Sequence, residues 1–159
     1  MIDLAYRMAY WCAYRVLRVY WRAAHPASHG ALVTLWWQGQ LLLVQNSYVS
    51  FLSLPGGAVG RHESARAAAV RELREEVGIV AREEELLPVV DRVHDWEGKR
   101  DHVEIFELTV VQRPEIKVDN REVVSAVFYA PEQALHLPLF PLIRDAIAHR
   151  AERLAEGRT

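Results

Sequence analysis

The residues best suited to chemistry are three glutamates in one short segment, Glu72, Glu75 and Glu76. In an α-helix, with about 100° between successive residues, the three fall within about 100° of one another. They lie along one edge of the stripe through which the helix would pack, and Ala68 leaves room one turn earlier. Glu75 and Glu76 are expected on the exposed side of that edge. Like charges this close repel unless protons, basic groups or a cation neutralise them. Mg²⁺ suits this role because it prefers carboxylate oxygens and shares its coordination with phosphate.

A solvent-exposed acidic face is the alternative interpretation, with ion pairs one turn apart such as Arg71 with Glu75. The wider spacing decides against it. Residues 57–79 fit the pattern G-x5-E-x7-R-E-U-x-E-E-x-G-U, where U is aliphatic, and every fixed position is filled. A chance match in a chain of this length is on the order of 10⁻⁷ or rarer. The pattern resembles the signature of the Nudix hydrolases, which cleave a nucleoside diphosphate linked to another group with the help of Mg²⁺ or Mn²⁺.

The resemblance implies a metal site on this helix. Glu72, Glu75 and Glu76 match the metal-binding carboxylates of the family, and Glu75 and Glu76 are also our catalytic candidates. A backbone carbonyl of the glycine pair, Gly56 or Gly57, is expected to complete the metal shell. The expected cofactor is therefore Mg²⁺, with Mn²⁺ as the alternative. Hydrolysis of a phosphoric anhydride makes the same demand, because its anionic charge must be neutralised and a water must be oriented and deprotonated.

Other motif residues are expected to shape the site. Arg71 matches the arginine that steers a motif glutamate, and Glu63 matches a glutamate that braces the loop against the helix. Gly57 is expected to be structural, and Gly78 to end the helix in a left-handed conformation.

Candidates outside the motif are weaker. Glu122, six residues before Phe128, is our choice for an additional catalytic acid, and the alternative is a solvated loop acid. Trp96 would stack on a base or close a lid, or else be a half-buried loop residue. Arg100 and Arg121 would contact phosphates or simply carry surface charge.

Composition limits the class of protein. The chain has 159 residues, 51% hydrophobic and 25% charged, which predicts one folded domain. A net charge of −2 argues against a long nucleic acid as partner and leaves a small nucleotide as the expected substrate. Cys12 is the only cysteine, so an intrachain disulfide is excluded. The default expectation for location is the cytoplasm, because no run approaches about 20 uninterrupted apolar residues.

Residues 1–22 form a predicted amphipathic helix outside the region of resemblance. Its arginines share one side, short apolar residues such as Val16 and Val19 share the other, and aromatic residues flank them. Base rates favour a helix that packs on the domain or forms a homodimer, with a solvated arginine face. The alternative is attachment to an anionic membrane surface. We place a connector at residues 25–30 and divide the chain into an N-terminal helix with connector, 1–29, and a Nudix domain, 30–159.

The remaining elements predict an α/β fold. Strands precede, separate and follow the helices, which implies a mixed sheet with helices on its faces. The order resembles the Nudix α/β/α sandwich, with the N-terminal amphipathic helix as an addition. A long polar loop is predicted between two later strands. The predicted strands are 31–37, 41–45, 51–54, 86–93, 103–111 and 123–129, the polar loop is 94–101, and the later helices are 62–77, one opening at 131, and 140–156.

Overall fold

The computed structural model describes residues 2–156, and across them the chain forms a seven-stranded mixed sheet and four α-helices. This confirms the predicted α/β fold class. The helices are α1 (Ile2–Ala24), α2 (Ala65–Val77), α3 (Pro131–Ala134) and α4 (Leu142–Glu156). The strands are β1 (Ala27–Trp37), β2 (Gln40–Asn46), β3 (Leu52–Ser53), β4 (Gly56–Ala58), β5 (Leu87–Trp96), β6 (Lys99–Val110) and β7 (Val123–Tyr129).

The sheet is built around β1. Its strand order is β3-β2-β1-β6-β5, with β4 paired to β1 and β7 paired to β2. Strands β1 and β6 run parallel along the whole of β1, and the other pairs are antiparallel. This parallel register places Ser28 beside Asp101 and His29 beside His102.

Helices α2 and α4 cover opposite faces of the sheet. Alternate residues of β1, including Val33, pack in one apolar cluster with Leu73 of α2. Trp36 on the other face of β1 packs in a second cluster with Ile143 of α4. Because side chains alternate along a strand, β1 contributes apolar side chains to the clusters on both faces of the sheet. The two layers form the sandwich.

The predicted polar loop at 94–101 is wrong. Strand β5 continues to Trp96 and β6 begins at Lys99, so only Glu97 and Gly98 form the turn. Both turn residues are left-handed, with φ of 53° and 90°, as tight two-residue hairpins require. The polar residues are therefore strand residues whose side chains point alternately to the two faces.

The predicted connector is also shorter than expected. Helix α1 ends at Ala24 and β1 begins at Ala27, so only His25 and Pro26 separate them. Within residues 2–156, no helix is both long enough and apolar enough to cross a membrane. The division of the chain at residue 29 stays a prediction.

Helix α1 packs on the domain through its aromatic flank, which corrects the predicted face. Val16 and Val19 are 69% and 70% exposed, whereas Tyr14 is half-buried. Two of the arginines expected in solvent instead contact the domain: Arg7 Nε donates to the Asn120 carbonyl at 2.9 Å, and Arg18 pairs with a glutamate of the β5–β6 turn. Aromatic rings bury more apolar area than alanine or valine, and a tyrosine hydroxyl also needs a polar partner, so the aromatic flank packs best.

Candidate active site

Helix α2 is set by its two caps. The hydroxyl of Ser64 accepts from the N–H of Ala67 at 3.0 Å, so the helix begins at Ala65, later than predicted. At the other end Gly78 has a φ of 74°, and its N–H donates to the Leu73 carbonyl, as expected for a left-handed cap. The caps set the ends of the helix, and the burial of Leu73 and Val77 in the core decides which glutamate faces the sheet.

The glycine pair forms strand β4 rather than an open loop. Gly56 has a φ of 145°, and a β-carbon there would overlap the Ala31 carbonyl and stand 2.7 Å from Leu32 Cα. A β-carbon on Gly57 would stand 2.5 Å from Glu72 Oε1. The first glycine therefore lets β4 lie against β1, and the second lets a carboxylate of α2 rest on the backbone.

Glu76 is buried, and this corrects the expectation that it lies on an exposed acidic edge. Only 5% of the residue is exposed, and the Gly56 N–H donates to its Oε2 at 2.8 Å. Burial raises the pKa of Glu76 to about 9, and neighbouring acids including Glu122 and Glu72 add to the rise. The hydrogen bond from Gly56 opposes that rise. Such a carboxyl is held protonated at neutral pH unless a positive charge approaches it.

Arg71 joins the acids of the motif. Its guanidinium contacts Glu72 at 2.7 Å, Glu63 at 2.9 Å and Glu75 at 3.3 Å, and donates to the Ala58 carbonyl at 3.2 Å. Hydrogen bonds from Arg71 to the carboxylate are the main reason that the pKa of Glu63 is lowered. Burial raises the pKa of Glu72, which is half-buried, and Arg71 opposes that rise. Arg71 thus holds helix, glycine strand and loop together.

Glu63 has the geometry of a brace. Besides Arg71, its carboxylate accepts from the Gly60 N–H at 2.7 Å. It therefore links the loop after β4 to the second turn of α2. Glu75 is more exposed than the other motif acids, with 52% of its side chain accessible, and it pairs with Arg71.

The loop before β7 brings Glu122 to the same place. Its carboxylate accepts from the Tyr48 hydroxyl at 2.7 Å. Asp119 fixes this loop by accepting backbone N–H groups of Arg121, Glu122 and Val123 at 3.2, 3.1 and 2.9 Å. Because the charge of Glu122 raises the pKa of both Glu72 and Glu76, the three carboxylates share one electrostatic site.

The donor set fits a hard divalent cation. Glu72, Glu76 and Glu122 offer carboxylate oxygens, and burial disfavours the charged forms of Glu72 and Glu76 without a cation. Asn46 is 9% exposed, and its Oδ1 has no hydrogen-bond partner among the described residues. Among the described residues the motif carboxylates do not come within 4.8 Å of one another as a group of three. Arg71 and the Gly56 N–H occupy oxygens of Glu72 and Glu76 instead. Across the described residues the group that does come this close is His29, His102 and Glu104.

A cavity of about 390 Å³ adjoins the glycine strand. Trp96 lines it, and its contact with a base stays a prediction. In the described structure Arg100 and Arg121 do not line the cavity. Arg100 is exposed, and its neighbours on either side along β6 line the cavity instead. Arg121 pairs with Asp3 and lies over the ring of Tyr6. Phosphate binding by these two arginines has no support from their positions.

Two groups of cavity residues are not predicted from the sequence. Tyr10, Tyr14 and Trp21 of α1 line the cavity, as does Tyr48. The aromatic flank of the N-terminal helix is the available signal for the first group, and nothing local marks Tyr48. Asp101 also lines the cavity, whereas the sequence makes it only a weaker loop candidate for the additional acid.

Comparison with known proteins identifies the family. A family model for the NUDIX domain matches residues 27–150. A CTP pyrophosphohydrolase of Escherichia coli (strain K12) is 32% identical over 134 residues, covering 74% of this chain and 90% of the relative. An Ap4A hydrolase of C. elegans has a TM-score of 0.70 at 20% identity, covering 81% of this chain and 98% of its own. A MutT NUDIX hydrolase of Burkholderia pseudomallei has a TM-score of 0.68 at 21% identity, covering 77% and 97%.

The chain belongs to the Nudix hydrolase family, and the prediction from the motif is confirmed. Members of this family use divalent metal ions such as Mg²⁺. The family consists of enzymes that cleave phosphoric anhydrides, and the chain is therefore a Nudix-type pyrophosphohydrolase.

Proposed function

We propose that the protein is a Mg²⁺-dependent hydrolase that cleaves the diphosphate linkage of a nucleoside triphosphate or of a nucleoside diphosphate joined to another group. The observation that carries this proposal is the buried carboxyl of Glu76, which accepts the N–H of Gly56 and lies in the field of Glu72 and Glu122. Gly56 and Glu122 also line an aromatic cavity. Mn²⁺ is the alternative ion.

The roles of the residues follow from their positions. Glu72 and Glu76 would hold the cation with a backbone carbonyl of the glycine pair, and Glu75 would join them once Arg71 releases it. When bound, the cation neutralises phosphate charge and acidifies a water. Glu122 is the best-placed acid outside the helix to accept the proton of the attacking water, because Tyr48 and Asp119 hold it in place. Arg71 keeps Glu72 oriented.

A nucleoside triphosphate is our first choice of substrate. The Escherichia coli relative is a CTP pyrophosphohydrolase, and this chain covers 90% of its length. Hydrolysis of the α,β-anhydride adds the water oxygen to one phosphorus and releases pyrophosphate, leaving a nucleoside monophosphate. Pyrimidine nucleotides are the natural first probes.

The decisive experiment is a screen of nucleoside triphosphates, nucleotide sugars and dinucleotides with Mg²⁺ or Mn²⁺. The variants Glu76→Gln and Glu122→Gln are expected to lower kcat by about 10²-fold or more, as the loss of a metal ligand or a base does. Glu84→Gln, which changes an exposed acid away from the site, is the matched control. Full activity in both site variants would refute the roles of Glu76 and Glu122 in metal binding and proton transfer.

Two alternatives give different outcomes in the same screen. A Nudix-like nucleotide-binding module would bind nucleotides without turnover, and retention of all four motif glutamates argues against it. A pyrophosphohydrolase of RNA 5′ ends would favour triphosphorylated RNA over free nucleotides, and the net charge of −2 argues against a long RNA track.

Attachment of residues 1–22 to an anionic membrane surface is a second proposal, and the outward face of α1 favours it. Leu4, Met8, Val16 and Val19 are each more than 60% exposed, and the sequence has no acid between Asp3 and Glu63. Two such basic helices would repel each other, which favours an anionic lipid surface over a homodimer. The wild-type protein should pellet with anionic liposomes, and a variant with Val16 and Val19 changed to Asp should stay in the supernatant. Equal pelleting of both forms would refute membrane attachment. A dimer that forms with increasing protein concentration would support the homodimer instead.

A further inference from the structure

Helix α1 forms the outer wall of the cavity beside the acidic site. Tyr10, Tyr14, Leu17 and Trp21 line it from one side, and the sheet closes the other. We infer that this cavity binds the planar base of the substrate nucleotide and that α1 is an integral part of that binding site. The inference rests on the proposed function only in taking the ligand to be a nucleotide.

The cavity is lined by two aromatic clusters. In the first, the rings of Tyr14 and Tyr48 lie 5.0 Å apart, and Tyr10 stacks on Tyr48 at 6.1 Å. In the second, Trp96 packs edge-on against Phe140 at 5.5 Å. A flat heteroaromatic ring gains most from such surroundings, because each aromatic contact to a base contributes about 1–3 kcal/mol. A purely phosphate ligand would gain nothing there.

A buried polar group lies within the same cavity. Asp101 is only 6% exposed, accepts from the Ser28 hydroxyl, and pairs with Lys99 Nζ at 3.1 Å. A carboxylate with remaining acceptor capacity suits an N–H of a base, and a lysine ammonium suits a ring carbonyl. The aromatic clusters and this polar pair together fit a nucleobase better than a lipid chain or a bare sugar.

Helix α1 is held in position by the β5–β6 turn. The Tyr14 hydroxyl donates to the Glu97 carboxylate, and Arg18 pairs with the same carboxylate at 3.3 Å. Lys99 Nζ lies 4.9 Å from the centre of the Trp21 ring. Tyr14 and Lys99 therefore both hold α1 and line the cavity. Displacing the helix would disturb the base site as well.

This wall lies outside the segment that matches the family model. The family match begins at residue 27, and α1 ends at Ala24. The catalytic acids lie within the matched segment, whereas Tyr10, Tyr14 and Trp21 lie outside it. Affinity for the base should therefore depend on residues that have no part in metal binding.

The test measures binding rather than turnover. The Kd of α,β-methylene-CTP and α,β-methylene-ATP, with Mg²⁺, would be compared between the wild-type chain and Tyr14→Ala and Trp21→Ala. We expect both variants to weaken the better-bound analogue about tenfold or more, in line with the loss of one or two aromatic contacts. Tyr20→Ala is the matched control, because Tyr20 is on the same helix but 55% exposed, and its Kd should change less than about twofold.

Two further measurements separate a base site from damage to the fold. Tyr14→Phe keeps the ring and should retain most of the affinity. The Kd of inorganic pyrophosphate with Mg²⁺ should be the same in Tyr14→Ala as in the wild type, because that ligand has no base. Unchanged affinity for both analogues, an equal loss for pyrophosphate, or no binding of either analogue by the wild-type chain would each overturn the inference.

The outcome is independent of catalysis. Binding that depends on α1 in a chain that hydrolyses none of the nucleotides in the screen would uphold the base site and refute the hydrolase proposal. Turnover of CTP with normal KM in Tyr14→Ala and Trp21→Ala would uphold the hydrolase proposal and refute the base site on α1.

Discussion

Gly57 lies so close to Glu72 that a β-carbon at residue 57 would stand 2.5 Å from Glu72 Oε1. The two residues are fifteen positions apart and belong to a strand and a helix that meet only in the folded chain. The absence of a side chain at Gly57 therefore sets where the carboxylate of Glu72, our proposed metal ligand, can rest.

The first prediction concerns this contact. Gly57→Ala should displace the Glu72 carboxylate and lower kcat/KM by about 10²-fold, because displacing a ligand by about 1 Å costs that much. Gly30→Ala is the matched control for stability, since its β-carbon would meet only the Gly57 carbonyl at an ordinary 3.6 Å. Steady-state kinetics and thermal unfolding of both variants provide the measurement. Equal activity of Gly57→Ala and wild type would contradict it.

A second prediction follows from the pKa of Glu76, raised from 4.5 to about 9 by burial. The folded state then binds more protons than the unfolded state between these values, so the free energy of unfolding of the metal-free protein should fall as pH rises from 4.5 to about 9. Urea unfolding in EDTA across this range would measure the slope. The raised pKa of Glu72 acts in the same direction.

Glu76→Gln provides the control for that slope. Glutamine does not titrate and still accepts the Gly56 N–H, so the variant should be less dependent on pH than the wild type. Saturating Mg²⁺ should also reduce the wild-type slope, since the cation favours the carboxylate. A slope identical in variant and wild type would show that another group is responsible.

Arg71 supports a third prediction, because it contacts three motif glutamates. Arg71→Gln should lower kcat several-fold and reduce stability by about 1 kcal/mol, a modest loss because the guanidinium is about one-third exposed. Arg71→Lys should not restore activity, since an ammonium cannot reproduce the planar fork. Arg74→Gln, on the exposed face of the same helix, is the control. Wild-type kinetics in Arg71→Lys would contradict the positioning role.

The fourth prediction links the β5–β6 turn to the N-terminal helix. Gly98 is left-handed, with a φ of 90°, and a β-carbon there would stand 3.0 Å from the backbone of Arg22. Gly98→Ala should therefore cost about 1 kcal/mol from backbone strain and also shift α1. Gly39→Ala carries similar strain, with a φ of 76°, but has nothing within 4 Å. Only Gly98→Ala should raise KM for the nucleotide, and equal KM values in the two variants would show that the turn does not position α1.

Local features were the most predictable from the sequence. Ser64, Gly78 and the helix formers between them define α2, because caps and propensity act within a few residues. The fixed spacing of the motif indicated the family directly. The β5–β6 hairpin was missed because its polar residues resemble a loop, while the left-handed Glu97–Gly98 turn makes a tight hairpin there.

The sequence by itself determined the family, the fold class and the rotation of three glutamates around one helix, since a fixed spacing sets angles along a helix. Only the tertiary structure decided which glutamate is buried, that Glu122 joins the site, and that α1 packs by its aromatic flank. Those outcomes depend on partners distant in the chain: Gly56 for Glu76, Tyr48 for Glu122 and Glu97 for Tyr14. Burial and hydrogen bonding between such partners arise from packing, which spacing along the chain does not specify.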